Sequence, residues 1–325
     1  MKKYAFVVVL LTMFFWAPAQ ESSCKKVVFW GDSLTAPHEY CYPVLFGELM
    51  GPDYEIVNCG VGGENTVTIM GRQGSAPMLL AHDVTVFKTD ERRFPIFIGN
   101  NDIPAFKSSY NGMTLTPLCQ GGWEESGPSQ VNPVRIGGKS FTIKSESRFW
   151  TEGGEFQFEN NYYIEPNFEV GETIKLKKGA LIETAAMRNH RDGYAYVFLL
   201  GANNGFKDLD DYLNQLRTMV EYAECERFVI ISFHIRNNVM NTTEKMDEME
   251  KALEDTYGDH YINLRRYMNK SGLTDAGIEA TEQDRKDIAD GFVPCSLLSD
   301  GCHFTDKGYY LIGHLLAKRF RELGY

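Results

Sequence analysis

The sequence predicts an α/β fold interrupted by a β-rich insertion. Three observations carry this. Apolar runs at Val27–Trp30, in "YAYVFLL" and in "RFVIISF" read as buried strands, because β-branched and aromatic residues sit together without polar interruption. Amphipathic stretches alternate with them, above all "DLDDYLNQLRTMVEYAE", with apolar Leu209, Leu213, Leu216 and Val220. Between the two α/β parts, from about Asp83 to Arg191, short alternating runs are separated by Gly, Asn, Pro or Ser.

The elements follow in chain order. Lys2 and Lys3, the apolar Tyr4–Trp16 and the small-x-small Ala17-Pro18-Ala19 have the layout of an export signal cut after Ala19. A stretch of ~13 apolar residues is too short for a membrane anchor. Cys24 lacks the apolar-then-small residues that precede a lipidated cysteine. The first strand is followed by a helix over Tyr42–Met50, with Pro43 suited to its first turn. Next come the run "YEIVNCGVGGENT" and a helical pattern from Thr66 to about Leu80, weakened by Gly71 and Gly74. The insertion then reads as strands in "DVTVF", "FPIFIG", "MTLTPL", "PVRIGGKSFTIKS", "EFQFE", "NYYIEP" and "ETIKLKKGALIET", the pattern of a sandwich or barrel. After Asp192 the α/β rhythm returns and ends in the helix "GYYLIGHLLAKRFREL". The first α/β piece, ~60 residues, is marginal alone. The expected organisation is therefore a signal over 1–19, one discontinuous domain over 20–82 and 192–325, and an insertion over 83–191.

Composition narrows the function. The formal charge is −11, and cleavage would remove two lysines. An acidic chain without a basic run argues against nucleic acid or an anionic membrane as partner. No later segment is long and apolar enough for stable membrane insertion. The seven cysteines, an odd number, guarantee at least one unpaired thiol in a monomer; Cys295 and Cys302 are near enough in sequence to bridge. No Cys-x-x-Cys pair points to a zinc site, and no metal or cofactor is expected.

The chemistry-bearing residues lie at the two ends. In "VVFWGDSLTA" a strand stops at Gly31, and Ser33 follows at its carboxyl end, where α/β folds place ligands. A serine there either caps a helix or acts as a nucleophile, and as a nucleophile it needs a base. Of seven histidines, His303 in "LLSDGCHFTDKGYY" stands three residues after Asp300, just before the last helix. A carboxylate beside an imidazole is the arrangement that activates a serine. The same stretch also fits a plain helix entry, with Thr305 or Asp306 as cap.

Together, "GDSLT" and "DGCHFTDKGY" resemble the GDSL/SGNH hydrolase superfamily. "NCGVGGENT" resembles its second block, with Gly63 at the matching glycine. Two stretches resemble its third block. "FIGNND" offers Asn101 by letters, whereas "LLGANNGF" offers Asn203 by context, between a strand and a helix. Context favours Asn203. The resemblance covers about two-thirds of the mature chain. It implies a flavodoxin-like three-layer fold, with a parallel sheet between helices. It also implies a Ser33–His303–Asp300 triad and an oxyanion hole from Ser33, Gly63 and Asn203. Asn204 departs from the family's aspartate, Cys302 adjoins the histidine, and the insertion is additional. The implied activity is that of an exported serine esterase acting on a small-molecule or glycan ester, foremost a carbohydrate O-acetylesterase. The alternatives are a lipid or lysophospholipid esterase and a glycan-binding protein on an inactive scaffold. Trp123, Phe149, Trp150, Tyr162 and Tyr163 are candidates for stacking on sugar, or else the insertion's own core. Natural substrate and oligomeric state are not legible.

Overall fold

The computed structural model describes residues 24–87, 94–98, 106–110, 112, 114–115, 131–153 and 155–325; side chains at 95–98, 106–107, 114–115, 145–150 and 155–162 fall outside that description. The chain forms a mixed α/β structure around a five-stranded parallel sheet flanked by helices. Its strands are β1 (Lys25–Gly31), β2 (Tyr54–Gly60), β3 (Ala195–Leu199), β4 (Phe228–Ile231) and β5 (Tyr261–Ile262). They lie in the order β5-β4-β3-β1-β2, every pair parallel, with Val27 opposite both Ile56 and Ala195. All five residues of β3 are buried, as a central strand covered on both faces demands.

The principal helices are α1 (Tyr42–Met50), α2 (Thr66–Gln73), α3 (Leu209–Ala223), α4 (Thr243–Tyr257) and α5 (Asp306–Glu322). The chain crosses from β1 to β2 in one direction and from β3 through β4 to β5 in the other. Right-handed crossovers therefore set α1 against one face and α3 and α4 against the opposite one. α5 returns beside α1, so closely that a Cβ on Gly313 would lie 3.0 Å from Leu45 Cβ. α2 sits by α3, where Gln73 Nε2 donates to the Met219 carbonyl at 3.1 Å.

Local chemistry fixes the helix ends. Asn65 caps α2 by accepting from the Thr68 N–H at 3.0 Å, and Asp208 caps α3 from the Asp211 N–H at 2.8 Å. Thr305 caps α5. The helix expected from Thr66 to about Leu80 stops at Gln73. Gly74 turns left-handed with φ of 103°, a Cβ there would strike Tyr222, and Pro77 follows without an N–H. Met78–Leu80 is instead a strand, paired antiparallel with Leu181–Glu183 and Phe106–Ser108. On α3 the fully buried residues are Tyr212, Gln215, Leu216, Met219 and Ala223, while Leu209, Leu213 and Val220 lie at the margin. The rotation follows Tyr212, whose ring packs on Phe206 and Phe233 and whose hydroxyl donates to the Leu200 carbonyl at 3.0 Å.

The remaining described strands are antiparallel. Eight of them run in the order Phe94–Ile98, Glu155–Pro166, Lys139–Glu152, Val134–Ile136, Leu181–Glu183, Met78–Leu80, Phe106–Ser108, Thr114–Leu115. Val84–Val86 pairs with Ile174–Leu176 in a separate ribbon. The described pairings are those of an open sheet plus a ribbon, not a closed barrel. "EFQFE" and "NYYIEP" form one continuous strand, since Asn160 and Asn161 stay in register with Ser147 and Glu146. Val134, Ile136, Phe141, Ile143, Ile164 and Ile182 build a second core, to which α2 contributes Val67. Tyr110 also ties this region to α3, donating to Asp211 Oδ1 at 2.7 Å. Among the described residues, no helix is long and apolar enough to cross a membrane.

Candidate active site

The carboxyl ends of β1, β2 and β3 meet at one edge of the parallel sheet. They approach too closely for side chains at the crossing points. A Cβ on Gly31 would lie 2.4 Å from the Leu199 carbonyl, and one on Gly60 2.5 Å from the Ala36 nitrogen. Beyond Gly31 the backbone closes a tight turn. The Thr35 and Ala36 N–H groups both donate to the Asp32 carbonyl at 3.0 Å, and the Leu34 N–H donates to Asp32 Oδ1 at 3.0 Å. Ser33 rides on this turn, half-buried, with its hydroxyl at the sheet edge.

The histidine arrives from the far end of the chain. Ser299 N–H donates to the His303 carbonyl at 2.8 Å, and Thr305 N–H to the Leu297 carbonyl at 2.9 Å, so the segment before α5 folds back on itself. Gly301 takes φ of 82°, which lets Asp300 curl over the loop and accept the N–H groups of Cys302 (2.9 Å) and His303 (2.7 Å). The other carboxylate oxygen lies 2.7 Å from His303 Nδ1, and His303 Nε2 lies 2.8 Å from Ser33 Oγ. With Nδ1 donating to the carboxylate, the hydrogen-bond network leaves Nε2 as acceptor for the serine proton. The His303 side chain and these N–H groups hold Asp300 well below the usual carboxylate range. The structure thus brings Ser33, His303 and Asp300 together in one line, a geometry able to deprotonate the serine hydroxyl.

Gly63 and Asn203 lie beside each other. Gly63 is left-handed at φ of 76°, and Asn203 Nδ2 donates to the carbonyl of the next residue, Glu64, at 3.1 Å. That bond uses one of two amide protons. Among the described residues, no carbonyl accepts from the N–H of Ser33 or Gly63. Asn204, left-handed at φ of 62°, presents its carbonyl to the Thr66 N–H at 3.0 Å and locks the two loops together. Asn101 and Trp123 lie outside the described residues. Trp150 and Tyr162 belong to the long hairpin, opposite Gln157 and Ser145, with their side chains outside the description, as is that of Phe149. Tyr163 is buried in the sheet.

Three features of the site escaped the sequence reading. Asp32 is fully buried; burial first, and Glu64 in addition, push its carboxyl up to about 7 against the backbone N–H groups of Leu34 and Ala202. Glu64 and Arg72 form a buried ion pair, Arg72 Nη2 reaching Glu64 Oε2 at 2.5 Å and the Cys59 carbonyl at 2.7 Å, so the side chain of the Gly63 loop is anchored from below. His234, after β4, is buried against Phe304 with ring centroids 4.3 Å apart, and both ring nitrogens are shut off from solvent. Burial pulls its pKa down to about 3, the nearby Cys302 carbonyl opposing, so the ring is neutral. The "GDS" letters drew attention to Ser33 and passed over Asp32. Nothing in "SFHIRNN" marks His234.

The bridge that spacing allowed between Cys295 and Cys302 is not formed; both thiols are free, and burial pushes that of Cys302 up to about 11. Asp284, Asp287 and Cys295 bring one potential ligand atom each within 4.8 Å. The Asp284 oxygens already accept from Thr281 and Ser296, bonds that fix the helix Glu282–Ala289 to the segment leading into the Asp300 loop. Comparison with family models, with curated proteins and with solved structures returns no match to this chain.

Proposed function

We propose that the protein is a serine esterase of the GDSL/SGNH hydrolase kind, with carbohydrate O-acetyl groups as its foremost substrates. The observation that carries this reading is the contact of His303 Nε2 with Ser33 Oγ at 2.8 Å while Nδ1 meets Asp300 at 2.7 Å. A hydroxyl so placed attacks an ester carbonyl as Nε2 takes its proton. Asp300 orients the ring and stabilises the imidazolium. The N–H groups of Ser33 and Gly63 and the Asn203 amide receive the charge that develops on the carbonyl oxygen. His303 then protonates the leaving alcohol, and water, deprotonated by the same ring, releases the acyl group. The basic, apolar N-terminus supports export as part of this proposal.

The test is turnover of p-nitrophenyl esters. Wild-type protein should hydrolyse the acetate, and Ser33→Ala should lower kcat by at least ~10³-fold. Preference for acetate over octanoate supports a deacetylase, and the reverse preference supports a lipid esterase. Absence of turnover with either ester contradicts an esterase.

A further inference from the structure

A cavity of about 480 Å³ opens beside the Asp300 loop. Leu298 and Gly301 of that loop form one wall, and His234 and Arg236 from the segment after β4 form another. Asp287 and Phe292 close it. β4 neighbours β3, whose following loop carries Asn203, and the residues from β4 that line the cavity leave that strand at its carboxyl end, as Ser33 does from β1.

Its two charged groups, Arg236 and Asp287, retain hydrogen-bonding capacity. The Arg236 guanidinium lies over the Phe292 ring, 4.4 Å from its centroid, and no carboxylate among the described residues is within ion-pair distance. Asp287 accepts one hydrogen bond on each oxygen, from Gln283 Nε2 at 2.7 Å and the Cys295 N–H at 2.9 Å, and retains capacity for more. The His234 ring backs the cavity, but its nitrogens are closed off from it, so it supplies a wall and not a ligand contact. Leaving the two charged groups dry is costly, so a hydrocarbon chain fits poorly here. An anion would satisfy Arg236 but oppose Asp287. A polyol satisfies both, because every hydroxyl both donates and accepts, and the volume suits a small sugar unit.

We infer that this cavity is the subsite for the polyhydroxylated alcohol portion of the ester, a neutral glycosyl unit held by Arg236 and Asp287. The inference rests on Ser33 acting as the nucleophile, since that places the alcohol on the histidine's side of the reaction.

The experiment has two arms. In the first, kcat/KM is measured on acetylated xylotriose and on p-nitrophenyl acetate for wild type, Arg236→Gln and Asp287→Asn. The exposed Arg236 makes its variant the one least prone to misfold. Arg236→Gln should lose ~10-fold or more on the sugar ester, mainly in KM, and several-fold less on the synthetic ester. Equal losses on both, or no loss on the sugar ester, overturn the subsite. In the second arm, xylotriose, cellotriose and mannotriose are titrated by NMR into Ser33→Ala and into Ser33→Ala with Arg236→Gln. Binding of at least one, weakened by the second change, supports the subsite without any turnover. Binding of none, or binding indifferent to Arg236, overturns it. Failure of the Ser33 reading would instead show as undiminished ester turnover in Ser33→Ala, with sugar binding unaffected.

Discussion

The Asn203 side-chain amide donates to the Glu64 carbonyl at 3.1 Å, tying the loop after β3 to the loop that carries Gly63. The bond orients the amide while leaving its second proton for a substrate. An oxyanion donor acts only on charge that develops in the transition state. Asn203→Ala should therefore lower kcat on p-nitrophenyl acetate by ~10²–10³-fold with little change in KM. A change confined to KM would assign Asn203 to ground-state binding instead.

Glu64 is held from the other side by Arg72, and both side chains are buried. Removing one member strands the other's charge. Arg72→Met should cost about 3–5 kcal/mol in urea denaturation, and the double change Glu64→Gln with Arg72→Met should cost less than Arg72→Met alone. A larger loss in the double variant would mean that the pair stabilises in its own right.

Asp300 meets His303 through both its backbone and its ring. Asp300→Asn can keep the loop's shape but presents an amide where Nδ1–H needs an acceptor. We expect kcat to fall by ~10²–10⁴-fold while the thermal midpoint moves little. A large drop in that midpoint would make Asp300 chiefly a loop brace.

Asp32 supplies a pH dependence. Its folded-state pKa is about 7, raised from 3.8 chiefly by burial. Between those values the folded protein keeps a proton that the unfolded chain has released, so this group's contribution to stability falls as pH rises from about 4 to 7. Asp32→Asn removes that loss. The wild-type Tm should decline relative to the Asp32→Asn Tm across this window, as read by scanning calorimetry. Parallel curves would show that Asp32 is ionised in the fold.

The three central strands of the parallel sheet were legible as continuous apolar runs, α1 from Tyr42 and Pro43, whereas the two-residue edge strand Tyr261–Ile262 was too short to show. Ser33, His303 and Asp300 stood out because a hydroxyl, an imidazole and a carboxylate sit in short loops beside such elements. What stayed hidden depends on tertiary contacts. The strand Met78–Leu80 follows from Gly74 turning left-handed against Tyr222, a neighbour distant in sequence. The buried face of α3 follows Tyr212, whose hydroxyl needed the Leu200 carbonyl. Nothing in the sequence sets Arg72 and Glu64 apart from the chain's other charged residues. Only packing beneath the Trp30 ring, whose centroid is 5.2 Å from the Arg72 guanidinium carbon, makes them a buried pair.

The central claim is that His303 activates Ser33, and covalent labelling tests it most directly. A fluorophosphonate probe, followed by peptide mass spectrometry, should modify Ser33 in the wild-type protein. His303→Ala should slow that labelling by at least ~10³-fold, because the serine then keeps its proton. Labelling of Ser33 at the same rate in His303→Ala, or of a different serine in the wild type, would contradict the account.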